Sequence, residues 1–134
     1  MNYVIDCSFS CSLFLPDEKS ETTRSFFINL KSSDHIFIPT LWWYESINVL
    51  NVAIKRKRLN FNEISTIIEL FEKIPLETDA SYGVQYSNNI FELTQLYNLS
   101  SYDATYVELA IRTKSKLMSL DKEINNIAIK IGLL

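Results

Sequence analysis

Four carboxylates, Asp6, Glu45, Asp103 and Asp121, are spread over nearly the whole chain, each in a setting that argues against simple solvation. Asp6 ends the apolar run Tyr3-Val4-Ile5, and Asp121 ends Leu117-Met118-Ser119-Leu120. Glu45 follows Trp42, Trp43 and Tyr44, and Asp103 opens the amphipathic stretch Tyr102 to Ala110. A carboxylate is rarely buried unless it is paired or bound to a metal. Brought together by a fold, four such groups would repel one another, and a divalent cation would be their natural occupant.

Three of the four also have a purely structural use. Asp6 and Asp121 stand where they could N-cap the helices that follow, a role worth about 1 kcal/mol. Ser100-Ser101-Tyr102-Asp103 fits the capping-box pattern. Glu45 is different, because it lies beyond the first turn of its predicted helix. Its neighbours Leu41, Trp42 and Val49 place it beside an apolar face, and only a helix turning Glu45 and Asn48 outward together would leave it solvated.

Other chemistries have little to draw on. Two glycines, Gly83 and Gly132, exclude a P-loop, a dinucleotide fingerprint and a nucleophile elbow. The single histidine, His35, has no nearby cysteine or second histidine, which argues against zinc. It reads as an ordinary residue at a strand start rather than part of a Ser-His-Asp triad. Cys7 and Cys11 are too few for a disulfide framework, and their spacing puts them on one helix face, where packing explains them.

The chain has 134 residues, 47% of them hydrophobic, which predicts one domain with a substantial core. No internal repeat or linker divides it. A formal charge of −3 excludes nucleic-acid binding by bulk basicity, though not binding through metal ions and a few local cations. The dense run Lys55-Arg56-Lys57-Arg58 suits either a solvated helix C-terminus or contact with phosphates. The opening segment has no basic n-region, and no apolar run approaches the ~20 residues of a membrane span. The expectation is a cytoplasmic protein.

The elements that must position the acids follow from periodicity. Residues 2–5, 35–38, 75–78 and 116–120 read as strands, and residues 133–134 as an edge strand. Helices are predicted over 8–15, 17–31, 41–57, from Asn60 or Asn62 to 73, then 81–97, 101–114 and 122–130, with Thr40 capping the third. Short apolar strands alternating with helices predict an α/β domain with a mainly parallel sheet. Ligands of such sheets bind at the carboxyl ends of the strands, where Asp6 and Asp121 lie.

Taken together, these segments resemble the PIN-domain nucleases, and in particular the small VapC-type toxins of bacterial toxin–antitoxin pairs. Tyr3-Val4-Ile5-Asp6-Cys7-Ser8 is similar to the family's opening strand. Pro39 through Leu50 resembles its glutamate segment, with Glu45, Asn48 and Leu50 matching. Leu99 through Tyr106 is similar to its third segment, including Tyr102-Asp103-Ala104. Leu117 through Asp121 resembles the fourth, with Ser119 where a threonine is usual.

The resemblance implies a three-layer α/β/α PIN-like domain over residues 1–134. It implies that Asp6, Glu45, Asp103 and Asp121 converge on Mg²⁺ or Mn²⁺, supported by Ser8 and Ser119. Glu123 matches a further acid found in some members, although a helix-dipole role suits it equally. The implied activity is metal-dependent endoribonuclease, with RNA as substrate, a small antitoxin as partner and a homodimer as assembly. Trp42, Trp43 and Tyr44 exceed what one helix face can bury, which fits such interfaces. A metal-dependent phosphatase or DNA nuclease would use the same acids, and an inactive binding module is a further alternative. A phosphoryl-accepting receiver domain is disfavoured, since Cys7 follows Asp6 where a second acid is required.

Overall fold

Strands and helices alternate along the chain as the hydrophobic pattern requires. The computed structural model describes residues 1–18 and 20–134. Strands β1 (Asn2–Ile5), β2 (His35–Pro39), β3 (Leu76–Asp79) and β4 (Lys116–Met118) form one sheet in the order β3-β2-β1-β4. Every neighbouring pair is parallel. Among the described residues the helices are α1 (Cys7–Phe14), α2 (Glu21–Ile28), α3 (Thr40–Lys55), α4 (Phe61–Phe71), α5 (Val84–Tyr97), α6 (Ser101–Thr113) and α7 (Lys122–Lys130).

A parallel sheet covered on both faces needs strands that are apolar on both sides. Val4 pairs with Phe37 on one side and Leu117 on the other, and Val4, Ile5, Ile36, Ile38 and Leu117 have no exposed surface. The chain steps from β1 to β2 to β3 in one direction, then crosses back to β4. Right-handed crossovers put the first two connections on one face and the third on the other, giving the α/β/α layers. Helix α6, with Ala104, Val107, Leu109 and Ala110 buried, lies against β1, β2 and β4, while α3 packs on β2 and α1. The reversal of strand order falls between β1 and β4, so their carboxyl ends open a crevice.

Buried hydroxyls join the helices of the first layer. Trp42, wholly buried on α3, donates through Nε1 to Ser10 Oγ of α1 at 2.8 Å. Ser12 Oγ donates to Thr23 Oγ1 of α2 at 2.7 Å. Cys7 and Cys11 are buried free thiols with their sulfurs 3.4 Å apart, so the expected shared face is a packing face.

Several boundaries differ from the sequence reading. The helix expected over 17–31 is α2, which begins only at Glu21 behind the cap Ser20; Lys19 lies outside the described residues. Asp17 and Glu18, taken as its acidic first turn, instead ion-pair with Arg58 at 2.6 and 2.8 Å. Thr40 does not cap α3: Pro39 holds the cap position without a side-chain bond, and Thr40 Oγ1 donates to Asp79 O of β3. β4 stops at Met118, beyond which Leu120 N and Asp121 N donate to the Ser8 and Ser119 hydroxyls instead of to a strand partner. Residues 133–134 form no strand; Leu133 O accepts a single bond from Leu117 N. Asn60, rather than Asn62, starts α4, through a complete capping box with Glu63. No helix among the described residues is long and apolar enough to cross a membrane.

Candidate active site

Asp6 is held where β1 ends and α1 begins, and it is only 4% exposed. Its Oδ1 caps α1 by accepting from Phe9 N at 2.8 Å, so the capping role is real. Capping does not exhaust it. Ser8 Oγ donates to Oδ1 at 2.8 Å, and Ser119 Oγ, from the end of β4, donates to Oδ2. Ser119 in turn accepts from Asp121 N at 2.9 Å, and Ser8 Oγ accepts from Leu120 N at 3.1 Å. The two serines thus join the carboxyl ends of β1 and β4 through one carboxylate.

Burial raises the Asp6 carboxyl above the usual carboxylate range, against the lowering effect of Ser119, Phe9 and Ser8, and the Asp103 charge raises it further. Glu45 is half-buried on α3 and is raised first by burial, then by the Asp6 and Asp103 charges. No cation is among the main influences on either group. Asp6, Glu45 and Asp103 are therefore near enough to repel one another, although they come from β1's end, α3 and α6. Asp103 is partly exposed in the first turn of α6, where its N–H is capped by Ser100 Oγ at 3.1 Å. Among the described residues its carboxylate takes no hydrogen bond or ion pair.

Asp121 stands apart. It is exposed at the start of α7, and its Oδ1 accepts from Glu123 N at 2.8 Å and Ile124 N at 3.1 Å. Its backbone N–H ties it to the site through Ser119, while its carboxylate is occupied as a cap. Glu123, exposed in the first turn of α7, contributes its backbone to that cap and suits the helix dipole.

One side chain bonded to a candidate acid went unassigned in the sequence. The Tyr106 hydroxyl donates a short hydrogen bond to Glu45 Oε2, and the ring is almost wholly buried. Burial and the neighbouring Glu45 push its own titration upward, so it remains a donor. The available signal was its i+3 spacing from Asp103, which puts both on one face of α6.

The donor set is entirely oxygen, of the hard kind that Mg²⁺ and Mn²⁺ take, and mutual repulsion without a protein cation fits a divalent ion. Among the described residues, no three His, Cys, Asp or Glu side chains stand close enough to hold an ion as they are. Glu45 is turned to Tyr106 and Asp121 to its own helix. A cavity of about 460 Å³ opens beside Glu45 between α1 and α3, bounded by Ser8, Asn48, Val49, Val52 and Arg58. A larger cleft of about 540 Å³ lies between α5, α6 and the β2–α3 junction, lined by Phe91 and Tyr102, and contains none of the four acids.

Comparison with known proteins agrees with this architecture. The family model described as "PIN domain" matches residues 3–130. The chain is 29% identical over 125 residues to Ribonuclease VapC3 of Pyrobaculum aerophilum, covering 92% of each protein. The crystal structure of VapC20 from Mycobacterium tuberculosis, described as a toxin that cleaves the sarcin–ricin loop, superimposes with a TM-score of 0.71. That match has 11% identity and covers 93% of this chain and 94% of the other. A crystal structure of another Pyrobaculum aerophilum protein matches with a TM-score of 0.67 and 16% identity, over all of this chain and 91% of that one.

Proposed function

Because this chain belongs to the PIN domain family, we propose that it is a Mg²⁺- or Mn²⁺-dependent endoribonuclease and the toxin of a toxin–antitoxin pair. The observation that carries the reading is the buried Asp6, fixed by hydroxyls from two strand ends and facing the charges of Glu45 and Asp103 without a cation. The name of the relative Ribonuclease VapC3 supports RNA as the substrate class.

Asp6, Glu45, Asp103 and Asp121 would hold the ion, with Ser8 and Ser119 setting the orientation of Asp6. A hard divalent cation bound there supplies neutralisation of phosphate charge and a lowered pKa for an attacking water. Ser8, Ser119 and Phe9 N fix both Asp6 oxygens, so its geometry is set before substrate arrives. Tyr106 holds Glu45 by one oxygen and leaves the other to the crevice, which suits Glu45 to accept a proton from water or to orient it. The exposed Tyr44, beside Glu45, and the partly exposed Trp43 supply contact area for an antitoxin segment or a second copy of the chain.

The test is cleavage of single-stranded RNA after chelation and re-addition of Mg²⁺ or Mn²⁺, followed by thermal melts. Activity is expected only with metal, and Asp6→Asn or Asp103→Asn should abolish it. Mn²⁺ should raise the wild-type melting temperature more than that of either variant. Full activity in EDTA, or an active Asp103→Asn protein, refutes the reading.

A further inference from the structure

The cavity beside Glu45 has a direction. On α3 its wall is Glu45, Asn48, Val49 and Val52, a stripe at helical spacing, and Cys7, Ser8 and Cys11 of α1 face it. One further turn of that stripe falls on Lys55 and Arg56, ~15 Å along the axis from Glu45. Lys57 follows beyond the helix end. All three are exposed, and among the described residues none has a carboxylate partner. Arg58 is different: it is clamped by Asp17 and Glu18 at the far wall, so its charge is neutralised.

The cavity therefore runs from Glu45 to the Glu18–Arg58 ion pair, and the cations of Lys55, Arg56 and Lys57 continue its α3 wall beyond the cavity. Val49 and Val52 line its middle, and Asn48, exposed beside Glu45, makes no hydrogen bond within the described residues. A chain of net charge −3 repels a polyanion in general, so a local cationic run is where phosphates gain most.

We infer that the RNA strand lies along this α1–α3 groove, its scissile phosphate at Glu45 and phosphates a few nucleotides away held by Lys55, Arg56 and Lys57. Ribose and base faces pack on Val49 and Val52 between the two ends, and the Asn48 amide meets the base edge nearest the acids. The inference rests on the ribonuclease reading and adds the path of the substrate to it.

The experiment measures binding of fluorescently labelled single-stranded RNA of increasing length, in EDTA so that binding is read apart from cleavage. Wild type is compared with Lys55→Ala/Arg56→Ala/Lys57→Ala and with a control of equal charge change, Lys31→Ala/Lys73→Ala/Lys116→Ala. The first triple variant should bind roughly tenfold or more weakly at low salt, and its dependence of log K on log salt should be shallower by about 0.7 for each phosphate no longer held. The control should stay close to wild type. Equal affinity and salt slope in wild type and the first triple variant, or an equal weakening in the control, overturns the path. Cleavage by the wild type without that weakening overturns the path alone; weaker binding by the first variant with no metal-dependent cleavage by the wild type overturns the hydrolase reading alone.

Discussion

Asp6 joins a cap, two hydroxyl clamps and a charge that burial disfavours. Its carboxyl titrates above the ordinary range in the folded protein, with burial as the leading cause. A carboxyl with a raised folded pKa binds more protons folded than unfolded across the interval between the two values. Its contribution to stability is complete below the unfolded value and is lost as pH rises through the folded one. Asp6→Asn should therefore stabilise the metal-free protein at neutral pH, and the gain should shrink as pH falls toward the ordinary carboxylate range. Melts across pH in EDTA measure this; a constant difference at all pH values would contradict it. On the proposed function Tyr106 is a positioning residue, acting through its hydrogen bond to Glu45. Its hydrogen bond lowers the Glu45 carboxyl against burial, so Tyr106→Phe should let that carboxyl rise. The acidic limb of the pH–kcat profile should then move to higher pH, an effect that poorer packing alone does not produce. An unmoved limb would remove Tyr106 from the site.

Among the elements, the sequence was most readable where one local signal decided the structure. Apolar runs ended by Asp6 and Pro39 gave β1 and β2, while the start of α4 stayed open between Asn60 and Asn62 until the capping box of Asn60 with Glu63 decided it. That cap should be separable from function: Asn60→Ala should cost about 1 kcal/mol in denaturant unfolding and leave kcat unchanged. Reading failed where a side chain answered to a distant partner. Asp17 and Glu18 had the composition of a helix start, yet Arg58, forty residues on, draws them into ion pairs and leaves Ser20 to begin α2. β4 ends for the same kind of reason, the backbone N–H groups of Leu120 and Asp121 being committed to the Ser8 and Ser119 hydroxyls rather than to strand pairing. The candidate acids could be named from their settings, but the Tyr106–Glu45 bond spans 61 residues, and the i+3 spacing of Tyr106 from Asp103 says nothing of Glu45.

In the whole molecule, the sheet order places β1 between β2 and β4, so the first strand of the sheet in chain order closes against the last. β1 pairs with β4 from Tyr3↔Lys116 to Ile5↔Met118, and Asp6 N donates to Met118 O at 3.1 Å. Ser119, which fixes the second oxygen of Asp6, lies 113 residues further along the chain. Without β4 one edge of β1 is bare, Val4 and Ile5 lack their β4 neighbours, and the acid crevice has only one wall. A chain stopped after Thr113 should accordingly be degraded by a protease at concentrations the full chain survives, and should not gain resistance from Mn²⁺; equal resistance would show that the sheet closes without β4. Closure of the sheet and completion of the acid crevice are therefore one event, since Asp6 gains its Ser119 partner only when β1 and β4 are paired.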